Sequence, residues 1–118
     1  MQFLTLYTPA VPPSGPPSAE HMAKMMKFSE DMTKANVLVA SGGVLSRDTG
    51  MKIVCKQGQF TVEHGPVAGS SLMPAAGWAI LRANTREELA QHVKAFLSLA
   101  GDGTSEIIQL MDGPPPSR

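Results

Sequence analysis

The stretch Phe60-Thr-Val-Glu-His-Gly-Pro-Val67 and the strand it leads to, Gly77-Trp-Ala-Ile-Leu-Arg82, decide how this chain reads. Gln59 to Glu63 is the returning half of a short hairpin. Its outgoing half is Met51 to Lys56, and Gln57-Gly58 supplies the two-residue turn. His64-Gly-Pro-Val67 leaves that hairpin, and Ala68 to Pro74 follows as a loop of mostly small residues. On either side of this centre the same order recurs, a strand, a helix and a strand.

Upstream, Gln2 to Thr8 places Phe3, Thr5 and Tyr7 on one face and Gln2, Leu4 and Leu6 on the other. Both faces are largely apolar, so the pattern predicts a central strand. The segment Pro9 to Pro17 holds five prolines and cannot be helix or inner strand. It reads as a stiff surface loop, with a lid over a pocket as the sharper alternative. Ser18 is an N-cap, and Glu20 in the first turn meets the helix dipole. A helix is predicted from Ala19 to Ala35, with Met22, Met25, Met26, Ser29 and Met32 at spacings of three and four. These methionines read as adaptable core filler; a promiscuous pocket wall is the alternative. Val37 to Ser41 is the next strand, with Gly42-Gly43 bending or ending it.

Downstream, Ala76 to Ala83 is an apolar strand carrying Trp78, Ile80 and Leu81. Thr85-Arg-Glu-Glu88 has the form of a capping box, and a helix runs from it to about Ala100 with Gly101 as its stop. Leu89, Val93, Phe96 and Leu97 form its inner stripe. Ser105 to Met111 is the last strand, and the tail from Asp112 to Arg118 is set apart from a domain spanning residues 1–111. Two strand-helix-strand units with both helices on one face make a ferredoxin-like α+β sandwich, β-α-β, hairpin, β-α-β. Two helices cover one face of a sheet that is apolar on both. The uncovered face calls for a partner, and a second copy of the sheet is the simplest one, giving a homodimer through the sheet face.

Composition narrows the function classes. Lys plus Arg is 10 and Asp plus Glu is 10, so the net charge is zero and no basic footprint for nucleic acid is expected. No stretch is long and apolar enough for a membrane span, and a single cysteine without a signal peptide points to the cytoplasm. That cysteine, Cys55, reads as a small buried hydrophobe, since Lys56 beside it falls on the opposite strand face.

The sharpest candidate for chemistry is His64, held at a strand end by Gly65-Pro66, because histidine exchanges protons near neutral pH. Its plainer role is that of a turn residue capping local backbone. His21, in the first turn of helix one, reads as either an acid-base group or an ordinary helix-start residue; His92 reads as surface. Met25, Ser41 and Trp78 are the expected substrate-binding residues, with core or dimer interface as the alternative for Trp78. No ligand spacing for a metal and no phosphate-binding loop is visible, so neither metal nor cofactor is expected.

The order and letters of the chain resemble the YCII-related family in its DGPF-motif branch. The resemblance rests on Glu20-His-Met-Ala-Lys-Met-Met26 in helix one, Val37-Leu-Val-Ala-Ser-Gly-Gly-Val-Leu45 in the following strand, and a hairpin ending in a Gly-Pro turn before a strand and a capped helix. It covers about residues 1 to 111. His64 and Val67 stand where the family's Asp-Gly-Pro-Phe turn has Asp and Phe, and Ala68 to Pro74 replaces the charged residues that follow it. Asp112-Gly-Pro-Pro115 resembles the motif by letter but follows the last strand. The resemblance implies ferredoxin-like protomers paired as a dimeric α/β barrel. It also implies a histidine near the start of helix one acting with an acidic group, a place that His21 fills. Taken together, these readings give a small, mostly apolar ligand bound between the sheet and helix one, in a pocket lined by His21, Met25, Ser41, His64 and Trp78. An enzyme built this way is a cofactor-independent isomerase or lyase with His64 or His21 moving the proton. The alternatives are a non-catalytic binding or accessory module, or a purely structural partner of another protein.

Overall fold

The computed structural model describes residues 1–11, 15–45, 49–65 and 76–112 of the 118. Their order is β1 (Gln2–Pro9), α1 (Ala19–Lys34), β2 (Leu38–Gly43), β3 (Met51–Lys56), β4 (Gln59–His64), β5 (Gly77–Arg82), α2 (Arg86–Ala100) and β6 (Gly103–Gln109). Four strands form an antiparallel sheet in the order β2-β5-β1-β6. Each helix carries the chain over one intervening strand, which is the split β-α-β arrangement of the ferredoxin-like fold. β3 and β4 pair only with each other, as a separate ribbon. Pro66 to Ala75, the Ser46 to Asp48 part of the turn before β3, and the tail from Gly113 lie outside the described residues.

The helix ends sit where their capping residues put them. The Ser18 hydroxyl accepts from the His21 N–H at 3.1 Å, opening α1. At its other end Asn36 takes a left-handed φ of 63°, the Asn36 N–H donates to Thr33 O and the Val37 N–H to Met32 O. These are the two bonds of a Schellman ending, and Val37 and Met32 supply its hydrophobic contact. Asn36 also accepts from Nη1 of Arg82 at 2.5 Å, tying the ending to β5. Thr85 caps α2 by accepting from the Glu88 N–H, and Gly101 ends it with a φ of 104°.

Register assigns the two faces of the sheet. Phe3, Thr5 and Tyr7 oppose Leu81, Ala79 and Gly77, and these residues look toward the helices. Leu4, Leu6, Trp78, Ile80 and Ile108 alternate with them and form the other, open face. The core of Phe3, Val37, Leu81, Ala83, Leu89 and Val93 occupies one end of the helix-covered face, with Met32, Leu38, Ala79 and Leu97 packed against it.

Three expectations are corrected here. Met22, Met25 and Met26 of α1 do not fill the core, since α1 buries no residue, and Met32 only packs against the core's edge. Met22 and Met26 are exposed and Met25 is half-buried, because the core is confined to the far end of the sheet. β2 does not stop at Ser41 but runs through Gly42 and ends at Gly43, both glycines pairing with β5, opposite Trp78 and Gly77. A Cβ on Gly42 would meet Nε1 of Trp78 at 2.8 Å, so the missing side chain makes room for the indole. Cys55 is exposed, because the ribbon that carries it stands off the body of the protein.

Candidate functional site

Core packing stops partway along the sheet. Beyond Phe3 and Leu81 the helix-facing side of β1 continues with Thr5 and Tyr7, and that of β5 with Ala79 and Gly77. Over this half of the sheet a cleft of about 980 Å³ is lined by both α1 and α2. Thr5 and Tyr7 lie in its floor, with the Thr5 hydroxyl donating to Ala79 O at 3.3 Å. Methionines 22, 25, 26 and 32 of α1 make one wall, and His92, Val93 and Phe96 of α2 the other. Pro9, Val11, Gly15 and Pro17 border the mouth, so the described parts of the proline-rich segment stand beside the cleft; Pro12 to Ser14 lie outside the described residues. A predominantly apolar concavity of this size with a few polar groups is the ordinary form of a small-molecule site.

Aromatic rings close its inner corner. Phe96 meets Tyr7 edge-on, with centroids 5.2 Å apart and planes at 88°, and meets Phe28 at 6.4 Å and 46°. One ring of α2 thus ties β1 and α1 together. Beside it, Gly103 leaves room for the Tyr7 ring, since a Cβ there would lie 2.6 Å from the Tyr7 edge.

The cleft brings His21, Met25, Ser41 and Trp78 together. His21 lies in the first turn of α1 with its side chain half-buried, and Met25 lies one turn further along the same wall. Ser41 opposes Ala79 across β2 and β5. Trp78 borders the cleft, but the pleat of β5 sets its indole on the open face, against Gly42. His64 is not among the lining residues. It ends β4, pairs with Met51 across the ribbon and is exposed, and the Pro66-Val67 half of its turn lies outside the described residues.

His92 corrects the expectation of a surface residue. Its side chain is 25% exposed, and its Nε2 lies 3.6 Å from Oε1 of Glu88, sealed from solvent and without a hydrogen-bond partner. The other carboxylate oxygen, Oε2, accepts from the Asn84 N–H at 3.2 Å, and the Glu88 N–H donates to Thr85 Oγ1 at 3.1 Å. The capping box that starts α2 therefore also fixes a carboxylate against the imidazole. The spacing Glu88-His92-Phe96 carried this signal: steps of four align all three along the helix, and Phe96 belongs to the inner stripe. Two histidines, one from each helix, thus line a mainly apolar cleft, and one of them, His92, has an acidic neighbour on its own helix. Such a set can take a proton from a bound molecule and return it.

No family model matches the chain, and no curated protein matches it. Among solved structures it is similar to the 5-chloro-2-hydroxyhydroquinone dehydrochlorinase of Burkholderia phenoliruptrix AC1100, determined in complex with 2,5-dihydroxybenzoquinone. The two share 16% identity over 96% of each chain, with a TM-score of 0.55. No helix among the described residues is long and apolar enough to cross a membrane. At that identity the likeness establishes the fold alone: this chain is an α+β protein with ferredoxin-like architecture.

Proposed function

We propose that the cleft binds a small, mostly apolar, planar molecule bearing hydroxyl or carbonyl oxygens, and that His21 exchanges a proton with it in a cofactor-independent isomerase- or lyase-type step. The observation that carries this reading is the cleft itself, about 980 Å³ of mainly apolar wall with His21 and His92 on opposite helices. The quinone-bound dehydrochlorinase with the same fold supports the choice of ligand class. In such a step the base removes a proton and the electrons of that bond become a new double bond as an adjacent bond breaks. In an isomerisation the broken bond is the old double bond, whose pair takes the proton at its far atom; in an elimination it is the bond to a leaving group, which departs with the bonding pair. The methionine wall suits ligands of differing shape, because thioether side chains repack at little cost. Met25 and Ser41 are the contacts we assign to the ligand, with Trp78 supporting the β2 side. A role for His64 in the same cleft requires its delivery by a second copy. The protein acts as a cytoplasmic homodimer joined through the open sheet face, in keeping with its resemblance to the DGPF branch of the YCII-related proteins.

A second reading, a non-catalytic binding or accessory module, is favoured by one feature, the His64 that stands where that branch carries Asp. Titration with 2,5-dihydroxybenzoquinone and related dihydroxyarenes, followed by calorimetry and by the methionine methyl signals, tests the cleft. Binding is expected to shift the Met25 methyl, and His21→Ala is expected to weaken it about tenfold, the worth of one hydrogen bond to a charged or polar group. Binding that leaves Met25 unmoved would sink the cleft as the site; unchanged affinity in His21→Ala would remove that histidine from it. Conversion of any bound compound, lost in His21→Ala, separates an enzyme from a binding module.

A further inference from the structure

The β3–β4 ribbon is amphipathic by register. Ile53 opposes Val62, Cys55 opposes Phe60 and Met51 opposes His64, which puts all six on one face. Lys52, Lys56, Glu63, Gln59, Thr61 and Val54 take the other. The apolar face is bare: Phe60 is 73% exposed, Ile53 57%, Met51 56% and Val62 51%. Every residue of both strands is exposed, and neither strand pairs with the four-stranded sheet. The protein is accordingly spread out, with a radius of gyration of 16.7 Å and extents of 48 × 46 × 19 Å. A compact chain of this length has a radius of roughly 13.5 Å. A lone two-stranded hairpin is at best marginally stable in water, and large side chains lined up on one face give it something to bury.

The same chain carries a second bare face. Leu4, Leu6, Trp78 and Ile80 are only half-buried on the open side of the sheet, and Ile108 beside them is 65% exposed. From this we propose that the ribbon is an exchange arm whose occupant is a second copy of this chain: in the homodimer, each arm lays its apolar face on the open sheet face of the other copy. This rests on the homodimer reading above, and covers the open sheet face with the other copy's ribbon in place of the other copy's sheet. Three features favour a second copy over an unrelated partner. Each copy supplies one arm and one sheet face, so a two-fold pair covers all four surfaces and closes. The formal net charge is zero, so two copies do not repel. The ribbon's lysines and glutamate are confined to the face turned away from the contact, as expected where the centre of an interface excludes charge.

Sedimentation equilibrium on the full chain tests the arm, with Phe60→Glu/Val62→Glu altering the ribbon and Ile108→Glu altering the sheet face. Among the described residues β3 and β4 pair with no strand of the four-stranded sheet and are exposed throughout, so the first variant is expected to keep the wild-type circular dichroism and melting of the body. Ile108 is largely exposed, so the second is expected to fold as well. The expected result is a dimer at micromolar concentration whose dissociation constant rises at least 100-fold in each variant. A dimer split by Ile108→Glu but untouched by the ribbon variant overturns the arm and leaves the sheet-face homodimer standing. A wild-type chain that stays monomeric through high micromolar concentration overturns both.

Discussion

Nε2 of His92 lies 3.6 Å from Oε1 of Glu88, one turn earlier on the same helix, while the other oxygen of that carboxylate holds the Asn84 N–H. Glu88 therefore serves two structures at once, the start of α2 and the wall of the cleft. Two substitutions separate them. Gln keeps an acceptor for the Asn84 N–H and removes the charge beside His92; Ala removes both. Glu88→Ala is expected to cost about 1 kcal/mol in urea unfolding, the usual worth of a helix cap, and Glu88→Gln a few tenths. Equal losses would mean that the contact with His92, and not the cap, is what Glu88 supplies to stability.

Gly42 and Trp78 give a second prediction. A methyl group on residue 42 would lie 2.8 to 3.2 Å from the five-membered and six-membered rings of the indole, and the ring must move to admit it. Gly42→Ala is expected to destabilise the protein by about 1–3 kcal/mol, as overpacking does, despite the better strand propensity of Ala over Gly. Trp78 is the single tryptophan, so its emission reports the displacement directly. A stable variant with unshifted emission would show that the indole does not rest on Gly42.

These two sites mark where the sequence could be read and where it could not. Thr85, Glu88 and Gly101 announce α2 because capping is settled within four or five residues, and the alternation of β1 names both faces because its period needs no distant information. The Gln57-Gly58 turn is equally local: both residues take positive φ, 52° and 79°, as a two-residue hairpin of this twist requires. The destination of the hairpin is not local. Cys55 and Phe60 look like core residues in any window of sequence, and only the topology shows that β3 and β4 leave the sheet. Met22, Met25 and Met26 in α1 have surroundings that are non-local for the same reason. Their spacing names a face of the helix, but whether that face meets a packed core or a cleft depends on how far α1 stands from the sheet. Gly42 is intermediate: a glycine in a strand signals a close approach, and the partner, Trp78, lies 36 residues away in the sequence.

The attachment of α1 is the last point that can be tested. The helix buries no residue of its own, and its ring contact with the rest of the protein runs from Phe28 to Phe96, which in turn meets Tyr7. Removing a fully buried phenylalanine costs about 3–5 kcal/mol; Phe96 is half-buried, so Phe96→Ala is expected to cost about 2–3 kcal/mol. The loss should be uneven. The core of Phe3, Leu81, Leu89 and Val93 lies at the other end of the sheet and keeps α2 in place, whereas α1 loses the ring that ties it to β1. Amide hydrogen exchange is therefore expected to accelerate more in α1 than in α2, and most around Phe28. Exchange that rises equally in both helices would show that α1 is held by the methionine wall and the Schellman ending at Asn36, with Phe96 contributing only to the general stability of the fold.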